Sequence, residues 1–90
     1  MGQKISQREA TEQEIIDAQQ WSFWESGPTD HFEYDYDQDV VFIVQQGEAV
    51  IRSQFGECVS IQPGSYVRIN QGVSGKWEIS SPICNRYRYL

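Results

Sequence analysis

The chain of 90 residues has few of the side chains that build metal centres and redox sites, with one histidine and two cysteines. Cys58 and Cys84 form no CxxC pair and no metal-ligand spacing, which excludes a zinc ribbon or a dithiol redox motif. We expect both to be small buried side chains without a disulfide, as in a reducing compartment. The single histidine, His31, cannot form a cluster alone, and we expect it to be exposed beside Asp30.

Basic residues are also scarce, since seven Lys and Arg stand against 13 Asp and Glu, for a net charge of -6. Nucleic acids and anionic membranes attract clustered basic residues, so we expect neither as a partner. The longest apolar run, residues 40–44, is far shorter than the roughly 20 residues of a membrane-spanning helix. The N-terminal residues lack the apolar stretch of a secretory signal, so we expect a cytoplasmic protein.

The composition that remains suits one small globular domain over residues 1–90, with 39% hydrophobic and 13% aromatic residues. Residues 1–10 are polar, and we expect them to be flexible. Thr11 and Glu14 have the spacing of a capping box, which predicts a short helix over residues 11–20. Its apolar residues, among them Ile15 and Ile16, are expected to pack on the rest of the domain.

Residues 21–90 show the patterns of short strands separated by turns. Phe32, Tyr34 and Tyr36 alternate with acidic residues, which predicts a strand with one aromatic and one acidic face. Carboxylates can bind hard cations, but a solvated face is the favoured interpretation of this alternation. Turns are predicted at residues 46–48, 54–57, 63–64 and 80–82, and their spacing of about ten residues indicates an all-β sandwich or barrel.

The order of these features resembles the small single-domain cupins grouped with ethanolamine-utilisation and ureidoglycine-aminohydrolase-like proteins. The resemblance is carried by Trp21-Ser22-Phe23-Trp24-Glu25, Phe42-Ile43-Val44-Gln45-Gln46-Gly47, Pro63-Gly64 and Gly72-Val73-Ser74-Gly75-Lys76-Trp77. It implies an all-β, jelly-roll-like cupin barrel, a double-stranded β-helix, with a short N-terminal helix. It also implies a homodimer, and the aromatic cluster of Trp21, Phe23 and Trp24 fits either a cap on the core or a dimer contact.

Cupins of this kind carry two metal-binding motifs, and this chain departs from both. The first is similar to H-x-H-x-x-x-E-x-x-x-x-x-x-G, and aligning its glycine with Gly47 places its ligands at Tyr34, Tyr36 and Val40. The second, aligned from Pro63-Gly64, places its histidine at Gly75. Neutral phenols, an isopropyl group and a hydrogen are not ligands for a divalent ion, so we expect no metal and no cofactor.

The same alignment predicts which side chains face the barrel interior. Candidate ligand-binding residues are aromatic, small or basic side chains on predicted strands: Tyr34, Tyr36, Phe42, Tyr66, Arg68, Gly75 and Trp77. They could hold a small ring or polar metabolite by stacking and hydrogen bonds. The alternative is that aromatic side chains simply fill the interior of a small barrel.

Arg86 and Arg88 share one face of the last predicted strand, and Tyr87 and Tyr89 share the other. Arginines pointing inward with Arg68 could clamp a carboxylate or phosphate. Arginines pointing outward would pair with the acidic strand. The outward arrangement is favoured because three buried unpaired guanidinium groups are too costly.

The functional hypothesis is a metal-independent cupin-like module that binds a small polar or aromatic metabolite or acts as a regulatory partner. The first alternative is a small metal-free isomerase or hydrolase that uses Tyr34, Tyr36 or Cys84 as acid, base or nucleophile, although no adjacent base is evident. The second is a purely structural or assembly subunit.

Overall fold

The computed structural model describes residues 4–90 and is built mainly from antiparallel strands. Its elements in chain order are β1 (Ile5–Glu9), α1 (Glu12–Ala18), β2 (Ser22–Glu25), β3 (His31–Asp35), β4 (Val40–Ser53), β5 (Cys58–Ile61), β6 (Ser65–Ile69) and β7 (Ser74–Tyr89). The predicted all-β class with one short N-terminal helix is therefore confirmed. No helix among the described residues is long and apolar enough to cross a membrane.

Strands β4 and β7 form a long antiparallel ribbon to which the other strands attach. One half of the ribbon is extended by β6 and β1 beside β4 and by β2 beside β7. The other half is extended by β5 beside β4 and by β3 beside β7. The inner faces of the two halves supply the apolar core, which includes Ile51, Val67 and Ile83.

Two of the predicted turns are wrong, and both lie in the middle of the ribbon. Residues 46–48 and 80–82 do not end strands, because β4 and β7 continue through them with shifts in register. Such irregularities are bulges, which bend a strand without ending it. Gly47 has φ +92°, and a Cβ atom there would overlap the carbonyl oxygen of Pro82. The residues predicted as turns thus lie where the backbones of β4 and β7 approach each other too closely for a side chain at position 47.

The other two predicted turns are confirmed. Residues 54–57 connect β4 to β5 as a hairpin, with Gly56 at φ +87°. At Pro63-Gly64 the backbone N–H of Ser65 donates to the carbonyl of Gln62 at 2.9 Å, and Gly64 has φ +92°. A positive φ at the third residue is the requirement of a type II turn, which explains glycine at this position.

The start of the chain differs from the expectation of a flexible segment. Residues 5–9 form β1, which pairs with β6, and Ile5 is buried in the core. Ile5 is one apolar side chain in a polar segment, so the sequence shows no alternation that would predict a strand. The strand forms because its backbone pairs with β6, which is distant in sequence. Residues 1–3 of that prediction lie outside the described residues.

The predicted helix is confirmed in place and in its cap. Thr11 Oγ1 accepts from the Glu14 backbone N–H at 3.2 Å, and Glu14 Oε1 accepts from the Thr11 backbone N–H at 2.9 Å. The Arg8 guanidinium lowers the pKa of Glu14 to about 2 by hydrogen bonding to its carboxylate, with the Thr11 backbone contributing. The predicted apolar face is wrong in part, because Ala18 is buried but Ile15 and Ile16 are exposed.

Helix α1 packs on the outer face of β4. Residues 40–44 are buried on both faces of the strand, so Val41 and Ile43 are covered on the side away from the core. A continuous apolar run, as in residues 40–44, is typical of a strand that is covered on both faces. The inward side chains Val40, Phe42 and Val44 belong to the core.

Candidate functional site

A cavity of about 260 Å³ lies between the inner faces of the two halves of the ribbon. Its wall consists of eight aromatic side chains, one valine and one asparagine: Trp24, Phe32, Tyr34, Tyr36, Val40, Phe42, Trp77, Asn85, Tyr87 and Tyr89. Within residues 4–90, no charged side chain contributes to this wall. The cavity is therefore uncharged and predominantly aromatic.

Strand register brings these side chains together, because residues directly opposite each other in an antiparallel pair share a face. Phe32 on β3 lies opposite Trp77 on β7, and Tyr87 on β7 lies opposite Phe42 on β4. Trp24 on β2 lies opposite Asn85 on β7. Residues that are distant in sequence thus converge on one site.

Trp77 is the centre of the ring cluster. Its indole stacks on Phe32 at 5.1 Å and on Phe42 at 5.6 Å between ring centroids, and Trp24 is tilted against it at 5.8 Å. Its Nε1–H donates to the hydroxyl oxygen of Tyr36 at 3.1 Å. Trp77 is buried, so these contacts hold one wall of the cavity in a fixed geometry.

Two phenols of the cavity, those of Tyr36 and Tyr89, remain protonated at neutral pH. Burial raises the pKa of Tyr36 to about 12. A hydrogen bond with Tyr34, together with burial, raises the pKa of Tyr89 to about 12. Tyr34 and Tyr89 are about half exposed, which places this pair where the cavity meets solvent.

Asn85 is the one non-aromatic polar side chain of the wall among the described residues, and it is only 3% exposed. Its Oδ1 has no hydrogen-bond partner within residues 4–90. Buried polar atoms are nearly always paired, since an unpaired one costs about 1–3 kcal/mol. Asn85 thus combines an unpaired buried acceptor with a place in the wall of an open cavity.

The model of the EutQ-like cupin domain family matches residues 14–87 of this chain. The chain belongs to that family. No curated protein matches it.

Solved structures support the same fold for this cupin. A DUF861 family protein from Thermotoga maritima superposes with a TM-score of 0.87 at 18% identity, covering 96% of this chain and 99% of that one. A putative ethanolamine utilization protein Q from Salmonella typhimurium gives 0.64 at 20% identity, covering 96% and 68%. A DUF1255 protein of unknown function from Acidithiobacillus ferrooxidans gives 0.62 at 14% identity, covering 64% and 56%. The predicted resemblance to small EutQ-like cupins is confirmed.

The side chains at the metal-motif positions of this cupin do not fit a metal ion. Tyr34, Tyr36 and Val40 line the cavity together, and a Cβ atom on Gly75 would lie 3.1 Å from the Tyr36 ring. The positions therefore converge as the alignment predicted, but they offer two phenols and no imidazole or carboxylate, which are the oxygen and nitrogen ligands that divalent ions prefer. In the part of the chain that the structure describes, no three His, Cys, Asp or Glu side chains cluster as metal ligands.

Four of the seven predicted ligand-binding residues line the cavity, and three do not. Tyr34, Tyr36, Phe42 and Trp77 line it, whereas Gly75 does not, although a Cβ atom on Gly75 would lie 3.1 Å from the Tyr36 ring. Placing Tyr66 and Arg68 in the wall was wrong, because Val67 and Ile69 take the inward positions of β6. Alternation then turns Tyr66 and Arg68 to the outer face.

On that outer face the guanidinium of Arg8 lies 4.1 Å over the ring of Tyr66. Arg68 donates to the carboxylate of Asp39 at 3.0 Å. The Asp39 carboxylate also accepts from the Gln71 backbone, and these hydrogen bonds lower its pKa.

Arg86 and Arg88 also point outward, but they contact aromatic rings and not the acidic strand. Arg86 lies 5.1 Å over Phe23 and donates to the Trp21 carbonyl at 3.4 Å. Arg88 lies 5.5 Å over the ring of Trp21. The three aromatic residues at 21, 23 and 24 are thus divided between two faces of the sheet. Trp24 lines the cavity, whereas Trp21 and Phe23 contact arginines on the outer face.

The cysteines and the histidine lie away from the cavity wall. Cys58 is exposed and Cys84 is half buried, so the expectation of two buried side chains was wrong. Cys84 Sγ lies 3.5 Å from Gln46 Oε1 and 4.0 Å from Glu25 Oε2. His31 is exposed with Nδ1 2.7 Å from Asp30 Oδ1, as predicted.

The most informative side chain that sequence reasoning missed is Asn85. The signal was present, because Asn85 has the same parity as Tyr87 and Tyr89 on the last strand. Because side chains alternate along a strand, an outward direction for Arg86 and Arg88 implies an inward direction for Asn85, Tyr87 and Tyr89. A polar amide between inward-facing apolar residues would have marked the centre of the site.

Proposed function

We propose that this cupin is a metal-independent binding module for a small ring-bearing molecule, which it holds in the aromatic cavity. The observation that carries the proposal is the buried side chain of Asn85, a residue of the cavity wall whose Oδ1 has no hydrogen-bond partner among the described residues. A barrel interior filled only for stability would pair or exclude such a group.

The size and lining of the cavity suit a ligand of one ring with a substituent. Benzene occupies a protein cavity of about 150 Å³, and this cavity is about 260 Å³. Ligand sites typically combine an apolar aromatic wall with a few placed polar groups. Here Asn85 and the hydroxyls of Tyr34 and Tyr36 are the polar groups that would orient the ligand.

A variant that fills the cavity tests this proposal. Val40 is buried and lines the cavity, so Val40→Phe projects a ring into open space. Small aromatic compounds at ten times their Kd are expected to raise the Tm of the unmodified protein by about 5 °C or more. We expect Val40→Phe to remain folded by circular dichroism and to lose this response.

The matched control is Tyr66→Phe, which changes a side chain on the outer face of β6 and should retain the full response. If Val40→Phe responds as the unmodified protein does, the compounds bind elsewhere and the proposal is wrong. The same conclusion follows if no aromatic compound stabilises the unmodified protein.

A homodimer is a second part of the proposal, with the outer face of β2 and β7 as the contact. Phe23 is 48% exposed there, and Nε of the adjacent Arg86 is buried without a partner among the described residues. A second copy could cover the exposed ring of Phe23. Sedimentation equilibrium should give twice the chain mass for the unmodified protein and the chain mass for Phe23→Glu; a monomeric unmodified protein would contradict the dimer.

A further inference from the structure

We infer that the ligand of this cavity is a neutral, ring-bearing hydrogen-bond donor of the aryl amide class, and that the site excludes aromatic carboxylates. This inference rests on the proposed function and adds the chemical class of the ligand. Three independent features of the described residues support it.

The first feature is the position of the basic side chains. The three arginines of the sheet that were candidates for binding an anion all lie on the outer face, where Arg68 pairs with Asp39 while Arg86 and Arg88 lie over aromatic rings. Within residues 4–90, no lysine or arginine lines the cavity. A carboxylate entering it would lose its hydration without gaining a cationic partner, and that loss is costly.

The second feature is the polarity of the orphaned atom. Asn85 Oδ1 accepts hydrogen bonds, so it is satisfied by an N–H or O–H of the ligand. A carboxylate has no proton to donate, so it would leave this oxygen unpaired. Strand pairing holds the backbone of Asn85 between Trp24 on β2 and Val44 on β4.

The third feature is the electrostatic character of the wall. The faces of aromatic rings carry partial negative charge, and they attract cations and N–H groups. The phenols of Tyr36 and Tyr89 stay protonated near neutral pH, so they supply no counterion for a cation and no repulsion of a neutral donor. The net charge of -6 for the chain further disfavours an approaching anion.

Ligands of the same shape and different polarity separate these possibilities. Benzamide and benzoate have nearly the same size, but at neutral pH benzamide donates N–H groups while benzoate is an anion. Toluene supplies the ring without a polar group. We expect calorimetric titration of the full chain to show benzamide binding roughly tenfold or more tightly than either benzoate or toluene.

Two variants at Asn85 assign the preference to one atom. Asn85→Leu keeps the approximate volume and removes the acceptor, so the preference for benzamide over toluene should disappear while toluene still binds. Asn85→Asp keeps an acceptor oxygen at the same place, so it should retain the preference for benzamide over toluene. This second variant keeps the test valid if Asn85→Leu does not fold.

The outcomes distinguish the inference from the proposed function on which it rests. If benzoate binds as tightly as benzamide, or if Asn85→Leu keeps the preference for benzamide, the ligand class is wrong while ring binding in the cavity stands. If none of the three compounds binds the unmodified protein, both the ligand class and the proposed function are wrong.

Discussion

Replacing Gly47 by alanine is expected to destabilise the protein by about 4 kcal/mol or more, a large part of the roughly 5–15 kcal/mol that stabilises a typical domain. The added Cβ would overlap the carbonyl oxygen of Pro82 and lie 2.6 Å from its carbonyl carbon and 2.7 Å from the carbonyl oxygen of Ser81. These are backbone atoms of the paired strand, so relief requires the two strands of the ribbon to separate at their bulge. Urea unfolding followed by circular dichroism measures the loss.

Gly64→Ala is the matched control for this prediction. Gly64 has the same φ of +92°, but a Cβ there meets nothing within 4 Å, so the substitution costs only backbone strain of about 1–2 kcal/mol. The difference between the two variants isolates the steric overlap. If Gly47→Ala costs no more than Gly64→Ala, the close crossing of the two strands at Pro82 is not as described.

Truncation of Trp77 is expected to have the second largest effect, a loss of about 3–5 kcal/mol in the free energy of unfolding. The substitution Trp77→Ala removes a buried indole that contacts Trp24, Phe32 and Phe42. It also removes the hydrogen bond to Tyr36. The enlarged cavity cannot collapse fully because its other walls belong to different strands.

Trp21→Ala is the control for this second prediction, since Trp21 is half buried on the outer face and does not contribute to the core cluster. Denaturant unfolding should show a clearly smaller loss for it than for Trp77→Ala. Equal losses would mean that Trp77 does not organise the interior. Trp77→Phe, which keeps a ring but no N–H, should fall between the two.

Side-chain alternation explains why much of the cavity could be predicted from sequence. The period of two in β3, together with alignment of Gly47, placed Tyr34, Tyr36 and Phe42 on the inner face. The same reasoning was not applied to β6, where inward Val67 and Ile69 require Tyr66 and Arg68 to point outward. The apolar residues Val67 and Ile69 alternate with Tyr66 and Arg68 in the sequence, so the outward position of the latter two is contained in the strand pattern.

Other features depend on contacts that side-chain patterns do not report. Strand β1 forms because its backbone finds the edge of β6, and its one buried side chain, Ile5, gives no period. Gly47 and Pro82 are residue types that indicate a turn. Only the pairing of β4 with β7 shows that each strand continues through a bulge at these positions. Neither the pairing nor the orphaned oxygen of Asn85 follows from local sequence.

The central claim is that Asn85 and the surrounding rings form a ligand site inside the barrel, and the resonance of the Asn85 side-chain amide tests it most directly. During a benzamide titration followed by heteronuclear NMR, we predict a saturable shift of this resonance and of the Trp24 and Trp77 indole N–H signals. The Trp21 indole N–H and the Tyr66 backbone amide, on the outer face, should remain unchanged. Shifts confined to the outer-face signals, or no saturable shift at Asn85, would contradict the claim.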